Sequence, residues 1–366
     1  MRRMMIDVFS HVLPPRFLEA RNERAGKRLA TQYGKYFHAN PGLTSLDVRF
    51  RTMDKFPDAV QLLTIAGPNV ESVLEPKDAV ECARIANDEM AELVAKYPDR
   101  FCGACACLPM SNVDAALAET DRAITDLRFR GVEIFTDHNG RPVDAPEILP
   151  LYEKMARYNL PILLHPRRTN TTADYAGEAT SKYLVYTNFG WPYETSLAMA
   201  RLAFGGPLEK FPTLKIVTHH AGGMIPYFHK RVQLSWDFNE MRMGYRHDGQ
   251  MLTQSPLDYY RMFYCDTAIQ GNTPALMCAS DLLLELHHVR RLSTLTSGVG
   301  TFSATLNTAG ARTITATDTV TASITGTSAP IAVTLPGTSV PMLSWEMLLA
   351  LLAALVAIGV TTLRKV

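Results

Sequence analysis

No run of like charge occurs in this sequence, and 37 basic residues against 36 acidic ones leave a net charge of only +1. There is no field to draw a polyanion, so nucleic acid is not indicated as a partner. Paired CxxC motifs are also missing. All six cysteines precede residue 280, and Cys102, Cys105 and Cys107 lie in the apolar run FCGACACLP. They read as small buried hydrophobes in a strand of a reduced, cytosolic protein. The N-terminus MRRMMIDVFSHVLPP carries two arginines, but its apolar stretch is short and is interrupted by Asp7 and His11. That is not a signal peptide, and the expected address of this part is the cytoplasm.

What is present is enough apolar material for a large core: 47% of 366 residues are hydrophobic. Up to about Cys278, short apolar runs alternate with helical patterns, the signature of repeated βα units around a buried parallel sheet. Seven runs are expected as strands: Met5–Val8, Ala59–Ile65, Phe101–Leu108, Gly131–Phe135, Pro161–His165, Leu214–His219 and Met262–Asp266. Pro76–Lys96 is expected as a helix burying Ala79, Cys82, Ala83, Ala86, Met90, Leu93 and Val94, and Asp114–Leu127 as another. Seven such units ask for an eighth, because a closed barrel leaves no strand edge unpaired. The fold class is therefore α/β, a TIM-type (β/α)₈ barrel over residues 1–290 that lacks its eighth strand.

Charge nearly vanishes beyond that point. Between Leu292 and Val340 only Arg312 and Asp318 are charged, and Thr, Ser, Ala and Gly dominate. TFSATLNT, ARTITATD, TASITGTS and PIAVTLPG alternate with period two between Gly, Asn and Pro breaks, which predicts a small all-β segment over 291–340. A Ser/Thr linker is the alternative reading. The segment resembles the immunoglobulin-like repeats of bacterial surface proteins. The last stretch, 341–366, contains an uncharged run, Met347–Leu363, closed by Arg364 and Lys365. It is expected to be a C-terminal anchor or sorting helix in contact with a membrane, an address at odds with the missing export signal.

Histidines and acids at the C-terminal ends of barrel strands are where such a fold builds its site. His11 closes the first strand, His165 the fifth and His219–His220 the sixth, while Asp266 closes the seventh. Imidazoles converging from several strands suit a divalent metal, zinc first and manganese second. The motifs IDVFSHVLPPRF, RFRTMD, GVEIFTDHNGRPVDAPEILPLYEKMARYNLPILLHP, NFGWPYETSLAMARLAFGGPLEKFPTLKIVTHHAGGMIPYFHKRV and YCDTAIQGNTPALMCASD together resemble the decarboxylase branch of the amidohydrolase superfamily, the family of aminocarboxymuconate semialdehyde decarboxylase.

That resemblance implies metal ligands at His11 and His165 and a catalytic acid/base at His220, with His219 turned into the wall. Asp266 is expected in the pocket as a second catalytic group or substitute ligand. Arg49 and Arg168 are candidates to pair with a substrate carboxylate, and Phe189, Trp191 and Tyr193 resemble an aromatic wall around it. Phe9 stands where the family's first histidine would be, and the Thr-Asp-x-Pro turn of an eighth strand is absent: DLLLELHHVRR runs straight into the Thr/Ser-rich part. His287 and His288 in that run are not expected to bind the metal. The implied activity is decarboxylation of a small aromatic or unsaturated acid. Hydrolysis by the same fold is one alternative, and a non-catalytic chimera or surface-anchored chain is another. A homodimer is also implied by the resemblance.

Overall fold

The computed structural model describes residues 5–26, 40–243, 252–283, 310–313, 315–317 and 325–333. Two compact units divide the chain, Met1–Val289 and Arg290–Val366. In the first, seven strands lie side by side in sequence order: β1 (Met5–Val12), β2 (Ala59–Ile65), β3 (Phe101–Cys107), β4 (Gly131–Phe135), β5 (Pro161–His165), β6 (Lys215–Thr218) and β7 (Phe263–Cys265). Every neighbouring pair is parallel. A parallel neighbour requires a crossover, which explains the helix between successive strands.

The connecting helices are α1 (Pro15–Ala25), α2 (Leu46–Met53), α3 (Pro76–Lys96), α4 (Val113–Thr125), α5 (Leu149–Tyr158), α6 (Trp191–Phe204), α7 (Ile225–Met243) and α8 (Pro256–Tyr260). Helix α9 (Thr273–Leu283) follows β7, and two single-turn helices, Val70–Val73 and Pro207–Lys210, lie in the loops. Local signals set several of their ends. Proline opens α1, α3 and α8, where its missing N–H would be unsatisfied anyway. The side chains of Ser45, Asn112 and Ser255 cap α2, α4 and α8 by accepting the N–H of Val48, Ala115 and Asp258. Helix α3 buries Ala79, Cys82, Ala83, Ala86 and Met90, as its periodicity predicts.

Strand β1 runs four residues past the predicted Val8, and its register against β2 slips between Asp7 and Ser10. Such a bulge bends a strand beside a site. The sheet also curls. Phe9, Leu62, Cys102, Cys105, Leu163 and Val217, from β1, β2, β3, β5 and β6, pack into one cluster on the inner face. The outer face packs against the helices through Leu63, Ile65, Ala104, Ile134, Ile162 and Ile216, all nearly inaccessible. The six cysteines are free thiols, and burial pushes those of Cys105 and Cys107 well above the ordinary range. They behave as the packed hydrophobes expected.

Among the described residues, β1 and β7 each have a strand on one side only. The stretch in which the sequence loses its eighth strand, including His287 and His288, lies outside the described residues.

Gly131, at the start of β4, has no room for a side chain: a Cβ there would fall 2.5 Å from the carbonyl oxygen of Pro161 and 3.2 Å from Cys105 Sγ. The carbonyl is sheet backbone and cannot rotate away. Gly131→Ala is therefore expected to destabilise the first unit by about 1–3 kcal/mol, read as a lower urea midpoint with unchanged slope. An unchanged midpoint would show that β4 and β5 can spread.

In the second unit, Gly310–Arg312 pairs antiparallel with Ile331–Val333, and Thr315–Thr317 pairs antiparallel with Thr325–Thr327. The run TFSATLNT and the apolar stretch Met347–Leu363 lie outside the described residues. Among the described residues, no helix is long and apolar enough to cross a membrane.

Candidate metal centre

Because side chains alternate along a strand, the inward-facing Phe9, Leu163 and Val217 put His11, His165 and His219 on the same inner face two residues later. The three rings gather at the C-terminal end of the sheet. Centroids lie 4.9 Å apart for His11 and His165, 4.5 Å for His165 and His219, and 5.9 Å for His11 and His219. One ligand nitrogen of each lies within 4.8 Å of the other two.

Their outer nitrogens each face a polar group. His165 Nδ1 is 2.6 Å from the Pro166 carbonyl oxygen, which can only accept, so Nδ1 carries the proton. His219 Nδ1 lies 3.2 Å from Asp266 Oδ2, and His11 Nδ1 lies 2.7 Å from Thr64 Oγ1. These contacts leave Nε2 as the nitrogen available on each ring. His219 Nε2 is buried with no hydrogen-bond partner, the condition of a ligand atom awaiting an ion. Burial, the largest cause, pushes the pKa of His11 down to about 4 and those of His165 and His219 well below the ordinary value. Arg49 lowers His11 further, Asp266 opposes that shift, and the rings depress one another. Neutral imidazoles at pH 7 are the form that binds a metal.

This corrects one sequence expectation. His219 is not turned into the wall; it is the third member of the cluster. Alternation along the strand holds, but its phase follows from Val217 pointing inward. His220 takes the next place, where the chain has left the strand: its φ is +54°, followed by +53° at Ala221, +80° at Gly222 and +63° at Gly223. A run of left-handed residues, two of them not glycine, marks a loop held against its own preference at a site. Gly223 cannot be replaced without moving its surroundings, since a Cβ there would lie 2.5 Å from Pro192 O and 2.8 Å from Ser196 Oγ. The His220 ring stacks on Trp191 with centroids 6.1 Å apart, and its Nδ1 is buried without a partner. Burial lowers its pKa and Asp266 opposes the shift.

Asp266 holds this loop. The N–H groups of Ala221 and Ala268 donate to Oδ1 at 3.0 and 3.1 Å, while Oδ2 faces His219. Burial raises its pKa and the backbone donors oppose that. Its Oδ2 is buried without a hydrogen-bond partner.

The arginines depart from expectation. Arg49 is buried, with Nε donating to Gly42 O, Nη1 to Ser10 Oγ and Gln61 Oε1, and Nη2 to the carbonyl of His11. Four of its five N–H groups tie β1 and β2 to the loop before α2. Arg168 Nη2 donates to Ala173 O and stands 3.8 Å from Asp174. Of the three predicted wall aromatics, only Trp191 reaches the cluster, 6.3 Å from His165, with Nε1 anchored on Arg168 O. Phe189 and Tyr193 are 65% and 51% exposed. Phe9, in place of a histidine, packs against His219 and forms the apolar floor.

Sequence reasoning missed three groups. Glu194 accepts from the N–H of Arg167 and Arg168 and from Thr136 Oγ1, fixing the turn after His165. Glu133, 3% exposed, points inward from β4 with Oε1 4.0 Å from His11 Nδ1, and Thr64 lies between them in the hydrogen-bond chain. The clue was available: an acid inside the otherwise apolar strand GVEIF is never there by default.

The sequence pattern of the amidohydrolase family matches residues 7–264. The chain belongs to the amidohydrolase family. This amidohydrolase is 25% identical over 245 residues to a 2-amino-3-carboxymuconate-6-semialdehyde decarboxylase of Dictyostelium discoideum, covering 63% of this chain and 67% of the relative. It is 31% identical over 252 residues to a gamma-resorcylate decarboxylase of Rhodococcus jostii, covering 66% and 73%. Its fold matches the crystal structure of 5-carboxyvanillate decarboxylase from Sphingomonas paucimobilis with a TM-score of 0.67 at 26% identity, covering 77% and 85%. It also matches a dihydroxybenzoic acid decarboxylase of Polaromonas, solved with bound manganese and 2-nitroresorcinol, with a TM-score of 0.60 at 24% identity, covering 77% and 83%. The parallel α/β body is thus a TIM-like amidohydrolase fold.

The depressed histidines give this amidohydrolase a pH signature. With His11 near 4 in the fold and about 6.5 unfolded, the unfolded chain takes up the proton first as pH falls below 6.5. The stability cost grows by about 1.4 kcal/mol per pH unit until about pH 4 and is absent above 6.5. The raised acids Glu133, Glu194 and Asp266 act in the opposite sense, so the measurement is a difference. Metal-free wild type is expected to lose stability relative to His11→Gln between pH 6.5 and 4 in urea titrations. A constant difference across that range would show that His11 is not buried neutral.

Proposed function

We propose that this amidohydrolase is a metal-dependent carboxy-lyase that removes CO₂ from a small aromatic carboxylic acid. The observation that carries the reading is the cluster of His11, His165 and His219, each with a polar group at Nδ1 and with Nε2 left over, beside the unpartnered Nδ1 of His220. Three imidazoles fit zinc or manganese, with room for a further ligand. A bound divalent ion would polarise the substrate's oxygens, while this chain's residues do the rest.

Loss of CO₂ breaks one C–C bond and leaves its electron pair on the ring carbon, which takes a proton in return. His220 is the group placed to hold and deliver that proton, and its stacking on Trp191 fixes the angle of the ring. Phe9, Phe135 and Trp191 exclude water around the cluster and present faces to an aromatic substrate. Asp266 positions His219 and the loop that carries His220. Relatives acting on gamma-resorcylate and 5-carboxyvanillate support the substrate class.

The test is CO₂ release from a panel of hydroxybenzoates by manganese- or zinc-loaded full-length protein. CO₂ with the matching phenol supports the lyase, and cleavage of lactones or amides without CO₂ would replace it with hydrolysis. The same preparation, by light scattering, tests the expected homodimer.

The abrupt loss of charge near residue 290, at the boundary between the two units, supports a second proposal. An enzyme of cytoplasmic type, with no eighth-strand aspartate in its sequence, is joined there to a surface-type β segment and an apolar tail over 347–363. Sequencing the locus and its transcript across codons 280–300, with fractionation of cells expressing the full chain, decides this. An uninterrupted natural transcript would sink the version in which the join arose in assembling the sequence, and a soluble product would sink membrane contact through the tail.

A further inference from the structure

His165 Nδ1 donates to a carbonyl and His219 Nδ1 stands 3.2 Å from a carboxylate oxygen, whereas His11 meets a hydroxyl, Thr64 Oγ1, at 2.7 Å. A hydroxyl has one proton to give. Thr64 is also hydrogen-bonded to the carboxyl of Glu133, which receives the backbone N–H of Ile65 as well. If the Thr64 proton goes to that carboxyl, Oγ1 is left to accept from His11 Nδ1.

The placement of these residues is specific. Thr64 is on β2, and its Cα is paired with that of His11 across the β1–β2 ladder. Glu133 is on β4, two strands away, and the intervening β3 carries only small side chains from Gly103 to Cys107. A long acidic side chain can therefore reach across. Burying a carboxyl in a sheet interior is costly unless it is hydrogen-bonded, and Glu133 keeps Oε1 unpartnered, 4.0 Å from His11 Nδ1. Glu133→Leu would fill the same space without that cost, so packing alone does not account for an acid here.

We propose that Thr64 and Glu133 are positioning residues for the metal centre: a relay from His11 Nδ1–H to Thr64 Oγ1–H to the Glu133 carboxyl holds His11 in the tautomer that turns Nε2 toward the ion. This role rests on the metal reading above. In metal sites, such partners behind a ligating histidine typically contribute 10- to 100-fold to affinity.

The experiment uses the full-length chain with ¹⁵N-labelled histidine. In metal-free protein at pH 7.5, His11 is expected to carry its proton on Nδ1. Thr64→Val is expected to shift it toward the Nε2–H tautomer, and Thr64→Ser to keep the wild-type form. In calorimetric titration with Mn²⁺, Thr64→Val and Glu133→Leu are expected to bind about 10- to 100-fold more weakly than wild type. Thr64→Ser and Glu133→Gln keep a hydroxyl and an acceptor and stay within about threefold, a rescue that a purely structural role would not produce. An Nε2–H His11 in wild type, or no tautomer change in Thr64→Val, overturns the relay. If wild type takes up no Mn²⁺ or Zn²⁺ at all, the metal reading falls, while the tautomer measurement still decides whether the relay exists.

Discussion

His219→Ala is expected to lose more than about a hundredfold in affinity for a divalent metal and to fall to background in CO₂ release, since one of three converging ring nitrogens is gone. The two places available to this histidine give opposite results. A wall residue would cost about 2–4 kcal/mol of stability as a cavity and leave metal content intact. A ligand would abolish metal binding with a smaller stability change in the metal-free state, because a buried Nε2 that has no partner there is removed with the ring. Metal analysis of the purified variant, alongside the urea midpoint of its metal-free form, separates them. Full metal content in His219→Ala would return the residue to the wall and leave His11 and His165 as the only histidine ligands.

The second large effect is at His220. His220→Ala is expected to lower the rate of CO₂ release by about 10²- to 10⁴-fold, the usual worth of a positioned acid/base group, while keeping metal content at the wild-type level. His220 adjoins the cluster without belonging to it: its ring lies 5.3 Å from His219 and stacks on Trp191. Retained metal with lost turnover identifies a group that acts on substrate. Lost metal would mean that the left-handed turn at residues 220–223 allows His220 and His219 to exchange places. Asp266→Asn provides an internal comparison, since it keeps the loop's backbone acceptor at Oδ1 but weakens the partner of His219. Its expected effect is weaker metal binding by about 10- to 100-fold.

Much of the fold was legible because its signals are local. An apolar run of four to eight residues between helical patterns needs no knowledge of its neighbours to read as a buried parallel strand, and all seven expected runs contain strands here. Histidines at strand ends were legible for the same reason. The site's inner arrangement was not. Arg49 looked available because nothing in RFRTMD announces that Ser10, Gln61 and two carbonyls will surround it. Phe189 and Tyr193 looked like Trp191 in sequence, yet one lies in the turn before α6 and the other in its first turn, and both face outward. Glu133 was passed over because its partner Thr64 is 69 residues away.

From the sequence alone came the alternation of strand and helix, the family, and the strand-end positions of His11, His165, His219, His220 and Asp266. Tertiary structure decided which of two adjacent histidines joins the cluster. Alternation along a strand is a property of its own backbone, but which alternate face becomes the interior depends on the direction in which the whole sheet curls. That direction is set by β1, β2, β3 and β5 closing over Val217, which puts His219 inside and leaves His220 on the turn.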